Sequence, residues 1–344
     1  TAGSMRFNED LGTLEFYTGE MWKTVNSFKD TGNRGRCVWA GGYDKNGTPS
    51  TSTKEINFVN IPSLGNSIDF GELTNAGQDA HGSGNANRGL FQGRFNNDAI
   101  EYITIASEGD SIDFGDRTQA AYYTASASSS TRAVTMGGLS PSTPASNVID
   151  YVQIMTLGDA LDFGDMSTGR LTDGSSFSSS IEAFVCGGYP GTDNTYEIIN
   201  FSSVGNSIAG DHIRHGGYWP GAGCSNSTRG IWAGGANSSS NYTREISYIT
   251  MASKGNSQMF GDLSDLAQGG AGGGSNQTRG LLAFGMAVPG SGNTPSNDLN
   301  TIEYITFSST GNALDFGDLR GGTNRAHTRH ISPTSDSHGG LGGF

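Results

Sequence analysis

The sequence predicts an all-β fold, a β-propeller built from four-stranded blades. Three observations lead to this prediction: an internal repeat, four strand-like segments within each repeat, and a composition rich in turn residues. Gly accounts for 54 of 344 residues and hydrophobic residues for 34%. Aromatic residues make up 10% of the chain and occur in short runs typical of strands, which argues against a disordered chain.

A short motif of the form Ile/Leu-Asp-Phe-Gly-Asp/Glu sets the repeat. Clear copies occur at 67–73, 111–117, 160–166 and 313–319, and weaker copies at 207–212 and 258–263. The steps from Phe70 to Phe114 and from Phe114 to Phe163 are 44 and 49 residues long. A period in this range is typical of propeller blades.

Asp-Phe-Gly is also the motif that binds magnesium in protein kinases. There it works with a Gly-rich phosphate loop, a strand lysine and a His-Arg-Asp motif, none of which is present in the sequence. A catalytic motif would also not recur at blade spacing. We therefore interpret the motif as structural, with Phe packed between blades, Gly permitting a turn, and Asp side chains bonded to local backbone N–H groups.

Each repeat contains four segments with the character of short strands. Strand A is a run of small residues, such as 122–131, and strand B ends in Gly-Gly, as in 36–42. Strand C alternates β-branched and aromatic residues, as in 100–109, and strand D carries the Asp-Phe-Gly motif. Four strands per repeat predict a blade whose strand A is innermost, where only small side chains fit.

The repeats predict six full blades within one propeller domain that spans residues 1–344. The predicted blades are approximately 27–76, 77–117, 118–167, 168–212, 213–264 and 265–319. We expect N-terminal strands in 1–26 and closing strands in 320–344 to form a seventh blade, split between the two ends, because such closure removes open strand edges. The alternative is six blades with an additional N-terminal hairpin.

The Gly-Gly end of strand B, the aromatic residue of strand C and the strand that follows resemble kelch-type propeller repeats, although Phe replaces the usual Trp of strand D. The pattern "IEYITIAS.G…DFGDL" followed by "SSSTRG" more closely resembles repeats of virion structural and tail-fibre proteins of marine tailed phages. The opening "SMRFNEDLGTLEFYTGEMWKTV" resembles a short phage-fibre module. These resemblances imply a virion-surface or host-recognition role.

Loop variation indicates where recognition would take place. The A–B and C–D turns are nearly constant between repeats, whereas the B–C loops and D–A connections differ greatly. A constant scaffold with one variable face is typical of recognition loops, although drift without selection is the alternative. The candidate ligand-binding residues are aromatic residues of these loops, whose rings could stack on sugars or simply cap their own loops: Tyr43, Tyr189, Tyr218, Trp219 and Tyr242.

Charge and hydropathy exclude other classes of partner. The net charge of −13 leaves no basic stripe for nucleic acid. No apolar run approaches the length of a membrane span. The three cysteines, Cys37, Cys186 and Cys224, predict buried free thiols rather than a disulfide framework.

Catalytic and metal-binding patterns are weak. His212 and His215, with Asp211 beside them, form one His-x-x-His pair, and His327 and His330 form another, but neither has a complete ligand set. We expect no cofactor. Asp-Gly and Asn-Gly loops supply oxygen atoms and leave Ca²⁺ binding open, but the twelve-residue calcium loop is absent. No nucleophile elbow is present.

We therefore expect a non-enzymatic adhesion module on a virion surface, in an extracellular setting, that binds a host surface glycan or receptor. Many copies on one particle would raise a modest affinity per site. Two alternatives remain: a structural virion protein that docks neighbouring subunits, and a glycan-active propeller enzyme.

Overall fold

Six four-stranded antiparallel sheets repeat along the chain and form the blades of a β-propeller. The structure is a computed structural model. It describes residues 3–8, 13–17, 19, 22–24, 35–44, 51–79, 81–141, 143–173, 175–190, 195–214, 221–236, 242–264, 266–268, 272–284, 286–287, 297–298, 300–320 and 331–342.

Within each blade the strands lie side by side in the order A, B, C, D. From blade 1 to blade 6, strand A is Ser332–Ser335, His81–Gly84, Ala125–Ser128, Ser176–Ser178, Ala222–Ser225 and Gly272–Ser275. Strand B is Arg36–Ala40, Arg88–Gln92, Arg132–Met136, Glu182–Cys186, Arg229–Ala233 and Arg279–Ala283. Strand C is Glu55–Asn60, Ala99–Thr104, Val148–Gln153, Thr195–Asn200, Glu245–Thr250 and Thr301–Thr306. Strand D is Ile68–Glu72, Ile112–Asp116, Leu161–Asp165, Ile208–His212, Gln258–Asp262 and Leu314–Asp318.

Short elements decorate this frame. The strands Tyr43–Asp44 and Thr51–Ser52 pair within the loop between strands B and C of blade 1. A small sheet joins Ala267–Gln268, Met286–Ala287 and Asn297–Asp298. A 3-10 helix spans Gly339–Leu341.

The prediction of a propeller of four-stranded blades is confirmed, but the seven-blade count is wrong and the six-blade alternative is confirmed. Strand Ser332–Ser335 pairs with Arg36–Ala40 and supplies strand A of blade 1. The C-terminal strand therefore completes a blade that we predicted to be whole within 27–76, so the blade that is split between the two ends of the propeller is blade 1 rather than a seventh blade. The inner strands contact one another from blade to blade around a closed ring.

Residues Thr1–Arg34 form a separate compact unit from Gly35–Phe344. Within the first unit, Met5–Asn8, Thr13–Tyr17 and Trp22–Thr24 form a three-stranded antiparallel sheet rather than a hairpin. Arg6 Nε donates to Glu15 Oε2 at 2.8 Å, and the Arg6 guanidinium lies 4.3 Å from the centre of the Trp22 ring.

The hydrophobic core of the propeller is divided among the blade interfaces. Six buried clusters are present among the described residues, and each joins two neighbouring blades. At the interface of blades 2 and 3, for example, Ile100 and Phe114 pack with Val152 and Ile154. Cys37, Cys186 and Cys224 are buried free thiols, as predicted, and burial raises the pKa of Cys224 to about 12.

The Asp-Phe-Gly motif joins each outer strand to the next blade. Between blades 2 and 3, Gly158 N donates to Phe114 O at 2.9 Å, and Ala160 N donates to Asp116 O at 2.7 Å. In return Asp116 N donates to Asp159 Oδ1 at 3.0 Å. An Asp or Asn accepts the equivalent bond at all six interfaces. The outer edges of the blades, which would otherwise be open for pairing, are therefore occupied.

The glycine of the motif allows this close approach. Gly115 has φ +146, and a Cβ atom there would lie 2.5 Å from the carbonyl of Gly158. The strand D amide thus donates to a side chain of the next blade. In blade 4 the local Asp also accepts, as we predicted, since His212 N donates to Asp211 Oδ1 at 2.9 Å as well.

An arginine at the start of strand B forms a second link between blades. The guanidinium of Arg88 lies 4.6 Å from the centre of the Tyr102 ring, and its Nη1 donates to Ile154 O of blade 3 at 3.0 Å. Arg36, Arg132, Arg229 and Arg279 make the same pair of contacts. Blade 4 has Glu182 at this position.

Serine hydroxyls link the inner strands around the ring. The last residue of each strand A is Ser in five blades and Gly84 in blade 2. Each serine donates to the carbonyl of the equivalent residue in a neighbouring blade, at 2.6–2.9 Å: Ser128 to Gly84, Ser178 to Ser128, Ser225 to Ser178, Ser275 to Ser225 and Ser335 to Ser275. Small residues are required here because the six strands converge.

Candidate functional site

The two faces of the propeller are built differently. We call the side with the A–B and C–D turns the turn face and the side with the B–C loops and D–A connections the loop face. Every C–D turn is seven residues long, as in 105–111, and the A–B turns within blades 2–6 are three residues long, as in 85–87. The B–C loops range from 93–98 in blade 2 to 284–300 in blade 6.

On the turn face, the C-terminal segment lies across the end of the central channel. Helix Gly339–Leu341 contacts strand A of blades 3, 4 and 5. The half-buried ring of His338 lies 2.9 Å from Gly84 O through Nε2, while Nδ1 accepts from Gly340 N at 3.1 Å. This pattern requires the neutral tautomer with the proton on Nε2.

The channel itself is narrow. A cavity of about 60 Å³ lies between the inner strands, lined mainly by serine and glycine, among them Ser83, Ser126 and Ser178. This volume suits a few water molecules rather than an organic ligand. A larger ligand therefore does not fit inside the channel.

The structure places some of the predicted aromatic residues on the loop face. Tyr189 is 36% exposed, and its backbone pairs with Leu171. Tyr242 is half-buried and bridges to Ala236. Tyr43 lies in a short strand, but its side chain is outside the described structure, as are Tyr218 and Trp219. The role of Tyr189 and Tyr242 in binding stays a prediction.

The predicted histidine pairs are only partly described. Asp211 and His212 are exposed at the end of strand D of blade 4, where His212 N donates to Asn256 Oδ1 at 3.2 Å. His215, His327 and His330 lie outside the described residues. Within the described ranges, no group of three or more His, Cys, Asp or Glu side chains could hold a metal ion.

Three aromatic rings that we did not select from the sequence are in contact on the loop face. Phe95 lies in the B–C loop of blade 2, and Tyr122 and Tyr123 precede strand A of blade 3. The ring centres of Phe95 and Tyr122 are 4.6 Å apart, and those of Tyr122 and Tyr123 are 5.0 Å apart. Phe95 remains 48% exposed, so the cluster presents an aromatic surface to solvent.

Acidic side chains lie beside these rings. Asp79 and Asp173 are largely buried, and Asp173 Oδ1 lies 3.7 Å from Nε2 of buried His81. Burial raises the pKa of Tyr123, and the charges of Asp79 and Asp173 raise it further. We call the group of Phe95, Tyr122, Tyr123, Asp79 and Asp173 the aromatic–acid site.

Sequence reasoning missed this site for two reasons. Tyr122 and Tyr123 stand at the start of the small-residue run 122–131, which we assigned to strand A. Phe95 lies in the shortest B–C loop and looked unremarkable beside the longer ones. The Tyr-Tyr pair in front of a run of small residues is unique among the repeats, and it was the available signal.

Buried ion pairs stabilise the loops of the loop face. Arg94 pairs with Glu101, and Arg170 pairs with Glu197. Arg117 Nε lies 3.2 Å from Asp150 Oδ2. These carboxylates also tie strand C to the preceding blade, since Glu101 accepts from Thr74 N at 3.0 Å.

Hydrogen bonding keeps such a carboxylate ionised. Burial alone would raise the pKa of Glu101, but hydrogen bonds from Ser111 and Thr74, together with Arg94, bring it below its usual value. The pair is therefore a structural support rather than a proton donor at neutral pH.

No helix within the described residues has the length and apolar character needed to span a membrane. A comparison of the chain with protein-family models gave no match, and a comparison with curated protein sequences gave none either.

Proposed function

We propose that the protein is a non-enzymatic recognition module that binds a host surface glycan through the loop face of its propeller. The observation that carries the proposal is the asymmetry of the two faces. The turn face has turns of constant length and its channel is covered by Gly339–Leu341, whereas the loop face has B–C loops of different lengths and an exposed aromatic surface. Variable loops on a rigid scaffold are where binding residues are usually found.

The setting proposed for this activity is the surface of a phage virion or tail fibre, outside the cell. It is supported by the resemblance of the repeats and of the opening segment to such proteins. Several copies on one particle would convert a modest affinity at each site into firm attachment.

Glycan-array binding by the whole chain tests the proposal. We expect binding that survives a chelator and releases no product. Release of a cleaved or oxidised sugar would support a glycan-active enzyme instead, and absence of binding to any glycan would overturn the proposal.

A second candidate, a structural virion protein, is favoured by exposed apolar side chains in blades 3 and 4. Six large aliphatic side chains there are at least 53% exposed: Met155, Leu157, Leu161, Ile181, Val204 and Ile208. Exposed apolar clusters of this kind commonly mark protein interfaces. If Leu157→Asp prevents incorporation into particles while glycan binding by the isolated protein is absent, the structural role is the correct one.

A further inference from the structure

A short segment, residues 336–341, lies at the turn-face end of the channel, directly after strand A of blade 1. We call this segment the clamp. It is tied to blade 1 because Asp336 Oδ1 accepts a hydrogen bond from Gly35 N at 2.7 Å. It is tied to blade 2 through His338, whose Nε2 lies 2.9 Å from Gly84 O.

The clamp also contacts the other four blades. Helix Gly339–Leu341 lies against strand A of blades 3, 4 and 5. Gln277, in the A–B turn of blade 6, donates from Nε2 to Ser337 O at 3.4 Å. One segment thus joins all six blades, and it borders the cavity between the inner strands, whose lining includes His338 and Cys224.

The attachment of the clamp depends on the protonation state of His338. Its Nδ1 accepts from Gly340 N and caps the helix. A proton on Nδ1 would leave two N–H groups facing each other, so the imidazolium form loses this hydrogen bond. Gly340 is packed closely against blade 3, since a Cβ atom there would lie 1.8 Å from Ser128 O. A small adjustment of the helix therefore does not relieve the contact.

The blades around the clamp supply no charge that would stabilise an imidazolium ring. The strand A ends are Ser or Gly, and the A–B turns within blades 2–6 contain no Asp, Glu, Lys, Arg or His. The arginines that begin strand B stack on the aromatic ring of strand C in their own blade. In blade 4, Glu182 at this position is paired with Lys254.

The titratable groups closer to His338 do not compensate for a charge either. Burial raises the pKa of the Cys37 and Cys224 thiols, so both are neutral. The carboxyl group of Asp336 belongs to the clamp itself and already accepts from Gly35 N. Burial lowers the pKa of His338, in agreement with this environment.

We propose that the clamp is an acid-released closure of the propeller: protonation of His338 detaches residues 336–341 from the turn-face end of the channel while the blades stay folded. The six core clusters at the blade interfaces contain no residue of the clamp, so they persist after its release. Release uncovers the channel and the Cys224 thiol that lines it. This device is independent of any ligand on the loop face.

Thiol labelling with dithiodipyridine, which also reacts in acid, tests the proposal between pH 7 and pH 4.5. Mass spectrometry identifies each labelled cysteine, and rates are expressed relative to free cysteine at the same pH. Cys224 lines the channel, whereas Cys186 lies in the core cluster between blades 4 and 5. We expect labelling of Cys224 to accelerate about tenfold for each pH unit below about 6.5, until the ring titrates in the closed form. Cys186 should stay protected.

Two variants separate the role of the ring from a general effect of acid. His338→Gln keeps a hydrogen-bond acceptor and cannot be protonated, so labelling of Cys224 should stay slow throughout. His338→Ala removes the cap, so Cys224 should be labelled already at pH 7. Wild-type Cys224 that stays as protected as Cys186 in acid would overturn the proposal. So would equal labelling of the two thiols, which indicates unfolding of the blades, or the same pH response in His338→Gln, or a protected Cys224 in His338→Ala.

Discussion

The interface between blades 2 and 3 and the interface between blades 4 and 5 solve the same packing problem with different residues. In the first, Arg88 stacks on Tyr102 and donates to a carbonyl of the next blade. In the second, Glu182 replaces the arginine, and Lys254 Nζ of blade 5 donates to Glu182 Oε1 at 2.6 Å. The polar link between the blades is kept, but its charges are arranged differently.

The buried aromatic ring is exchanged in the same way. Phe114 of blade 2 is matched in register by Gly210 of blade 4, and Ile100 by Tyr196. The Tyr196 ring fills the space beside Gly210, because a Cβ atom added at Gly210 would lie 2.2 Å from the ring. The Tyr196 hydroxyl donates to Gly255 O at 3.2 Å. Each interface therefore needs a filled volume and a polar link, and more than one set of residues supplies them.

The largest effect is expected from emptying the regular interface. Phe114 is 2% exposed and packs edge-on against Tyr102, so Phe114→Ala should lower the free energy of unfolding by about 3–5 kcal/mol. Urea unfolding followed by circular dichroism measures it. The control is Asp113→Ala, which changes the exposed residue next to Phe114. Its free energy of unfolding should stay within about 0.5 kcal/mol of the wild-type value. Equal small effects from both variants would contradict the role assigned to the ring.

A smaller effect is expected from adding a large side chain to the interface between blades 4 and 5. Gly210→Phe should clash with Tyr196 and destabilise the protein by about 1–3 kcal/mol. Combining it with Tyr196→Ile recreates the pair found in blade 2 and should recover most of the loss. A double-mutant cycle in urea gives the coupling energy. Additive losses would show that the two side chains do not exchange places as we infer.

Reversing the charges at the interface between blades 4 and 5 should lower the free energy of unfolding by a smaller amount. The Glu182 side chain is 12% exposed and that of Lys254 is 41% exposed, so Glu182→Arg and Lys254→Glu should each cost about 0.2–1 kcal/mol. The double variant should regain part of the loss, and added salt should reduce the difference. Single variants with unchanged urea midpoints would mean that the pair contributes no stability.

The smallest effect is expected at the inner strands, where Gly84 replaces the serine that ends strand A in the other blades and lies beside His338. Burial lowers the pKa of His338, although its bond to Gly84 O acts in the opposite direction. The folded protein thus favours the neutral ring, and unfolding takes up a proton once the pH falls below about 6.5, the pKa of free imidazole. The free energy of unfolding should therefore fall between pH 7 and pH 5.5.

Thermal unfolding across this pH range, compared with His338→Gln, isolates the contribution of the ring. The variant should show a shallower pH dependence than the wild type. The same slope in both proteins would assign the acid sensitivity to other groups.

The fold could be predicted because each blade repeats the same local pattern. Phe114, its glycine and the alternation of 100–104 each indicate a strand or turn without reference to distant residues. The blade count could not be obtained in this way. The segment 13–17 alternates as strand C does, and no local feature of 332–335 indicates that it pairs with 36–40. Closure depends on how many wedge-shaped sheets complete a circle.

The candidate site was predictable only as a face. Constant turns and variable loops could be read from the repeats, and so could single aromatic residues such as Tyr189. Contact between Phe95 and Tyr122 depends on the distance between two blades. The sequence carries no record of that distance, because the residues belong to different repeats.

Strand Ser332–Ser335 has a consequence for synthesis of the chain. Blade 1 contributes its strand B first, and that strand waits with one free edge while five further blades leave the ribosome. The ring cannot close until Ser332–Ser335 has been synthesised. A polypeptide that stops before it leaves the propeller open, with strand B of blade 1 unpaired along one edge. The propeller ring is therefore complete only after Ser332–Ser335 has been synthesised, and a product that ends before it keeps exposed backbone on strand B of blade 1.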